Sequence, residues 1–71
     1  MIYSLPSIKI NGSSDIQIYN HKGLKTVSEK MIEIFSSIGV ISIDGKQLVL
    51  NEITGDYISV SGKIKSVYYK E

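Results

Sequence analysis

The sequence predicts an all-β fold, a small antiparallel β-sandwich of immunoglobulin-like type built from hairpins. Three observations predict it. Isoleucine is plentiful and alanine absent, and Val, Thr and Tyr add further side chains that pack well on a pleated surface. Apolar and polar residues alternate over several short runs, the period of a half-buried strand. Asn-Gly, Asp-Gly and Ser-Gly pairs separate those runs, where hairpin turns call for positive φ. At 71 residues the chain is read as one β domain over residues 1–71, and a chain of that size buries only about 60% of its unfolded surface. Without cysteine, neither a disulfide nor a cysteine-bound zinc supports the fold. Packing alone has to hold it.

Residues 1–6 read as a lead-in, because Pro6 biases Leu5 towards an extended conformation. The first strand, residues 7–10, meets a turn at Asn11-Gly12. Placing Ile10 opposite Ile16 also sets Ile8 opposite Ile18, so both apolar sets share a face. In residues 39–50, a two-residue turn at Asp44-Gly45 would set Ile43 opposite Lys46, Ile41 opposite Leu48 and Gly39 opposite Leu50. In residues 57–70, a loop of Ser61, Gly62 and Lys63 would set Val60 opposite Ile64 and Tyr57 opposite Val67. The stretches ISIDGKQLVL and ISVSGKIKSV repeat one design at a 17-residue offset. Two hairpins satisfy it, and a short β-solenoid is the alternative.

Residues 28–39 fit two patterns. As a helix they would take Ser28 as N-cap and Gly39 as terminator, with Met31, Ile32 and Phe35 on one stripe. As a strand they would turn Ile32 and Ile34 inward and Glu33 outward. The β-branched residues and the Ser36-Ser37 pair favour the strand.

The formal charge is +1 and there is no arginine, the residue most used for phosphate and guanine contacts, so nucleic acid is not expected as a partner. No apolar run approaches the ~20 residues of a spanning helix, and residues 1–6 lack the pattern of a signal peptide. A soluble, cytosolic protein is the expectation. Catalysis needs a base oriented by a second group, and the one histidine, His21, sits among Asn20, Lys22 and Gly23, which suit a turn. Asp15, Asp44 and Asp56 lie beside glycine or serine, where carboxylates commonly accept backbone N–H bonds. The glycines match no phosphate-binding loop, and Asn11-Gly12-Ser13 matches a glycosylation acceptor that carries no weight without a signal peptide. No enzymatic activity, cofactor or metal is expected.

The structural turns are therefore assigned to Asn11, Gly12, His21, Gly23, Asp44, Gly45 and Gly62. Tyr57, Tyr68 and Tyr69 would lie close together across the last hairpin and, with Lys65, form a candidate interface, since aromatics with a polar tip suit protein contacts. The alternative is that they cover the edge of a thin core. The last strand, residues 63–70, is expected at a sheet edge, guarded by Lys63, Lys65 and Lys70.

Leu5-Pro6, the run Asn20-His21-Lys22-Gly23-Leu24, residues 39–48 and the closing Gly62-Lys63-Ile64-Lys65-Ser66-Val67 together resemble the YabP/YqfC family of endospore-formation proteins, its YqfC branch more closely. The resemblance covers nearly the whole chain. It implies a small β-sandwich made in the mother cell during sporulation, without enzymatic activity. It also implies a place on the mother-cell side of the membrane around the forespore, with an integral membrane sporulation protein as partner. Self-association as a β-scaffold is the second functional expectation.

Overall fold

The computed structural model describes residues 5–70; Met1 to Ser4, which begin the expected lead-in, and Glu71 lie outside the described residues. Six strands follow in chain order: β1 (Ser7–Asn11), β2 (Asp15–Tyr19), β3 (Gly23–Val27), β4 (Met31–Ser36), β5 (Gly39–Ile53) and β6 (Tyr57–Lys70). They form one hydrogen-bonded sheet in the order β1-β2-β6-β5-β4-β3, and every neighbouring pair is antiparallel. The class is all-β, with no helix among the described residues.

The first hairpin pairs Ile8 with Ile18 and Ile10 with Ile16, as the alternation predicts, and Gly12 turns it at φ 62°. Residues 31–36 are strand. Ser28 does what an N-cap does, its Oγ accepting from the N–H groups of Lys30 and Met31 at 3.3 and 3.0 Å. The chain that follows alternates instead of coiling, with Ile32 and Ile34 fully buried on one face.

The two later hairpins are corrected. Asp44 and Gly45 form no turn: β5 runs through them, and Ile43 pairs with Ile32 on one side and Val67 on the other. Gly62 forms no loop either, since β6 continues past it and Val60 pairs with Ile16 and Leu50. The chain reverses at Thr54-Gly55-Asp56, where the Thr54 N–H donates to the Tyr57 carbonyl at 2.8 Å. Gly39 faces Ser36 across the β4–β5 turn rather than Leu50. Turn dipeptides are local signals, whereas a long hairpin pairs both of its arms along nearly their whole length; separate short hairpins are marginal in water. The solenoid alternative falls as well, because stacked coils pair in parallel and every pair here is antiparallel.

The 17-residue repeat has a different meaning: its two copies are the two arms of one hairpin, paired with each other. The repeat extends outward. Ile16 and Ile18 of β2 meet Val60 and Ile58 of β6, and Ile32 and Ile34 of β4 meet Ile43 and Ile41 of β5. The contact of Gly39 with Ser36 at the β4–β5 corner has its counterpart where the Asn20 N–H meets the Asp56 carbonyl, between β2 and β6. The strand order is a palindrome, in which β1, β2 and β6 correspond to β3, β4 and β5. The centre of this approximate two-fold falls at Lys46, which faces Lys63, its own counterpart in the repeat.

That centre is also a bend. Fifteen residues of straight strand would span roughly 50 Å, more than the longest dimension of the molecule, 38 Å. The register slips between Asp44 and Gly45 and again between Lys46 and Val49, with Gln47 at φ 54° and Gly62 at φ 131°. Such bulges sharpen a strand's bend and twist. Glycine is required here by contact. A Cβ on Gly45 would overlap the Lys63 carbonyl oxygen, and one on Gly62 would stand 2.6 Å from the Gln47 carbonyl oxygen. Bending brings the apolar faces of the two halves into one cluster of Ile16, Ile18, Ile32, Ile34, Ile41, Ile43, Leu48, Ile58 and Val60. One continuous sheet thus covers its own apolar face, which is consistent with a sandwich-like core.

Gly45→Ala should therefore destabilise the protein by about 1–3 kcal/mol, the usual range for overpacking, whereas Gly55→Ala, with nothing within 4 Å of the new Cβ, should stay within about 0.5 kcal/mol of wild type. Thermal unfolding of the two variants checks this; equal melting temperatures would exclude the close approach as the reason for Gly45.

Candidate interaction surface

His21 lies in the three-residue connection from β2, in one half of the sheet, to β3, at the outer edge of the other. Its ring is buried, 7% exposed. The Gly23 N–H donates to Nδ1 at 2.9 Å, which leaves the proton on Nε2, 2.8 Å from the Thr54 carbonyl oxygen. Around it the Asn20 N–H donates to the Asp56 carbonyl at 2.6 Å, the Lys22 N–H donates to the Phe35 carbonyl at 2.7 Å, and Asn20, at φ 65°, donates from Nδ2 to the Leu5 carbonyl at 3.0 Å. The imidazole therefore ties the crossover to the tip of the long hairpin. Beside this junction the Tyr19 and Tyr57 rings lie 4.9 Å apart at 41°.

On the outer face of the second half, Glu33, Ser42 and Tyr68 occupy one row across β4, β5 and β6. The Lys70 Nζ donates to Glu33 Oε2 at 2.7 Å, reaching from β6 across β5 to β4. This strap explains why Glu33 is 4% exposed and why Ser42, between the two strands, is fully buried; Ser42 Oγ has no hydrogen-bond partner among the described residues. Around the strap, Phe35, Val40 and Tyr68 present apolar surface, Phe35 and Tyr68 exposed by 41% and 42%. The Lys70 ammonium, then a hydrogen bond with Thr26, holds the Glu33 carboxyl below its ordinary range, and Glu33 in turn raises Lys70.

Edges complete the surface. β2 pairs with β6 only over residues 57–61, so residues 65–70 of β6 have β5 as their one strand neighbour among the described residues. The edge position expected for the last strand holds for this part. Tyr68 and Tyr69 stand on it, Tyr69 48% exposed, with Lys65 exposed at the bulge opposite Asp44 and Gly45. Tyr57 is not with them: it starts β6 opposite Tyr19, whereas Tyr68 and Tyr69 end the same strand opposite Ser42 and Ile41. The expected clustering of the three tyrosines is corrected accordingly. Asn11 ends β1 opposite Asp15, and Gly12 follows it in the turn.

The Glu33–Lys70 strap was not foreseen, because its partners lie 37 residues apart; the one hint was a carboxylate between two inward isoleucines. Among the described residues there is no group of three or more His, Asp and Glu side chains able to hold a metal.

His21→Ala leaves the Gly23 N–H and Thr54 carbonyl without their partner and should cost about 1–3 kcal/mol, read as a lower urea midpoint with an unchanged slope. Glu33 adds a pH dependence. A carboxyl held lower in the folded than in the unfolded state stabilises above its ordinary value near 4.5 and loses that contribution as pH falls through the lowered value. The raised Lys70 stabilises below its ordinary value near 10.5 and loses this as pH rises through the raised one. Wild type and Glu33→Gln should thus differ in stability at neutral pH and converge in acid; a constant difference at all pH values would assign the effect to packing.

A family model described as the YabP family matches residues 4–71. The chain is also 34% identical over 71 residues to "Uncharacterized protein YqfC" of Bacillus subtilis (strain 168), an alignment that spans all of this chain and 76% of that relative. The chain belongs to the YabP/YqfC family.

Proposed function

We propose that this chain is a non-enzymatic sporulation protein acting as a β-sheet interaction module, made on the mother-cell side and held at the membrane around the forespore by an integral membrane sporulation protein. The family match supports the sporulation context. The observation that carries the interaction reading is the C-terminal part of β6, a strand edge bearing two exposed tyrosines beside the apolar ground of Phe35 and Val40. Aromatic anchors with a polar tip, next to apolar surface and backbone groups free to pair, are what a protein contact uses. The partner is recognised through this surface, with Tyr68 and Tyr69 as its anchors.

The test begins with capture of bound proteins from sporulating cells after the membranes are solubilised, which supplies the partner. Replacing both Tyr68 and Tyr69 by serine should then weaken the affinity for that partner by about 2 kcal/mol or more, with a smaller loss of folding stability. Denaturation and a binding titration on the same double variant decide it. If stability collapses while the folded fraction binds as before, the tyrosines belong to the core and the proposed surface is wrong.

A further inference from the structure

The bent sheet has four strand edges rather than two. In the half containing β1 and β2, the edges are β1 and residues 49–53 of β5; in the other half they are β3 and residues 65–70 of β6. Exposed edges invite pairing with another chain, and lysine is a common guard against it. Three of the four follow that rule: β1 carries Lys9, β3 carries Lys25 at its bulge, and the β6 edge carries Lys65 and Lys70. Residues 49–53 of β5 do not. They hold no lysine and no proline, they carry the carboxylate of Glu52, and they expose Val49 and Ile53 by 53% and 45%. The β5 and β6 edges are counterparts in the approximate two-fold of the fold, yet they are opposite in charge. Lys70 is already engaged by Glu33, whereas Lys65 has no ion-pair partner among the described residues.

We propose that the chain self-associates head to tail, residues 49–53 of β5 in one copy pairing as a strand with residues 65–70 of β6 in the next. With the two strands antiparallel and Glu52 opposite Lys65, Val49 falls opposite Tyr68. Two β5 edges would bring carboxylates together and two β6 edges would bring lysines together, so only the unlike pairing satisfies charge. The β6 edge also has the better match to exposed Val49, because it offers an aromatic side chain opposite it where β1 and β3 offer none. Each copy keeps one edge of each kind, so the contact is heterologous and builds a chain or a ring. The inference rests on the reading of the β6 edge as a binding edge and names a second copy as its occupant; in an open chain of copies the β6 edge of the terminal copy, with Tyr68 and Tyr69, stays available to the partner protein.

Charge reversal tests it with the protein in sedimentation velocity. The wild-type sedimentation coefficient should rise with protein concentration and fall back at high salt. Glu52→Lys and Lys65→Glu, both at exposed positions, should each weaken association about tenfold or more, since each places like charges across the pair. An equimolar mixture of the two variants should restore it, because every contact between unlike copies again joins opposite charges. A wild-type protein that stays monomeric at low salt overturns the inference and leaves the partner reading standing, since the tyrosine titration measures that separately. Association unchanged in both single variants, or not restored on mixing, overturns it too.

Discussion

The backbone contacts at Gly45 and Gly62 are the constraint on which the rest of the molecule depends. At each, one strand comes so close to its partner's carbonyl oxygen that a Cβ has no room. The close approach lets the fifteen-residue β5 and fourteen-residue β6 bend together. Were they to stay straight, the isoleucines on their inner side would line a wide, flat sheet with one apolar face in water. Bent, the same residues meet across the fold, and nine side chains among the described residues form the core. In a small chain without disulfides, this closure supplies the packing that holds the fold.

Polar contacts then hold the bent form at its ends. His21 fastens the crossover between halves to the tip of the long hairpin, satisfying one backbone donor and one acceptor that would otherwise be buried unpaired. The Glu33–Lys70 strap spans three strands and fastens the C-terminal end of β6 to β4. That end therefore reaches the surface as an ordered strand with a free edge. Order without a covering strand is the property that makes it a candidate for binding, since little conformational entropy remains to be lost when a partner pairs with it.

The approximate two-fold symmetry adds a further consideration. A fold built twice from the same plan exposes the same kinds of edge twice, and its solubility then depends on what each edge carries. Here the β1 and β3 edges each carry a lysine, whereas residues 49–53 of β5 and residues 65–70 of β6 carry opposite charges.

Local physics is legible in the residues themselves. The alternation Ile16-Gln17-Ile18 and Ile32-Glu33-Ile34 determines that these are strands and which face is inward, and Asn11-Gly12 determines the first hairpin and its register, because side-chain period and turn geometry act over a few residues. His21 is legible as a connection, since Asn20 and Gly23 tolerate the positive φ they adopt. The glycines at positions 45 and 62 read as turns because a glycine's neighbours say only that the backbone is unusual there. Whether that freedom serves a reversal or a close approach depends on a partner strand nearly twenty residues away. Separation along the chain likewise hides the Glu33–Lys70 strap, the separation of Tyr57 from Tyr68 and Tyr69, and the pairing of the two repeat copies with each other. Those were decided by tertiary structure, where burial of the long hairpin along both arms outweighs the local preference of Asp44-Gly45 to turn.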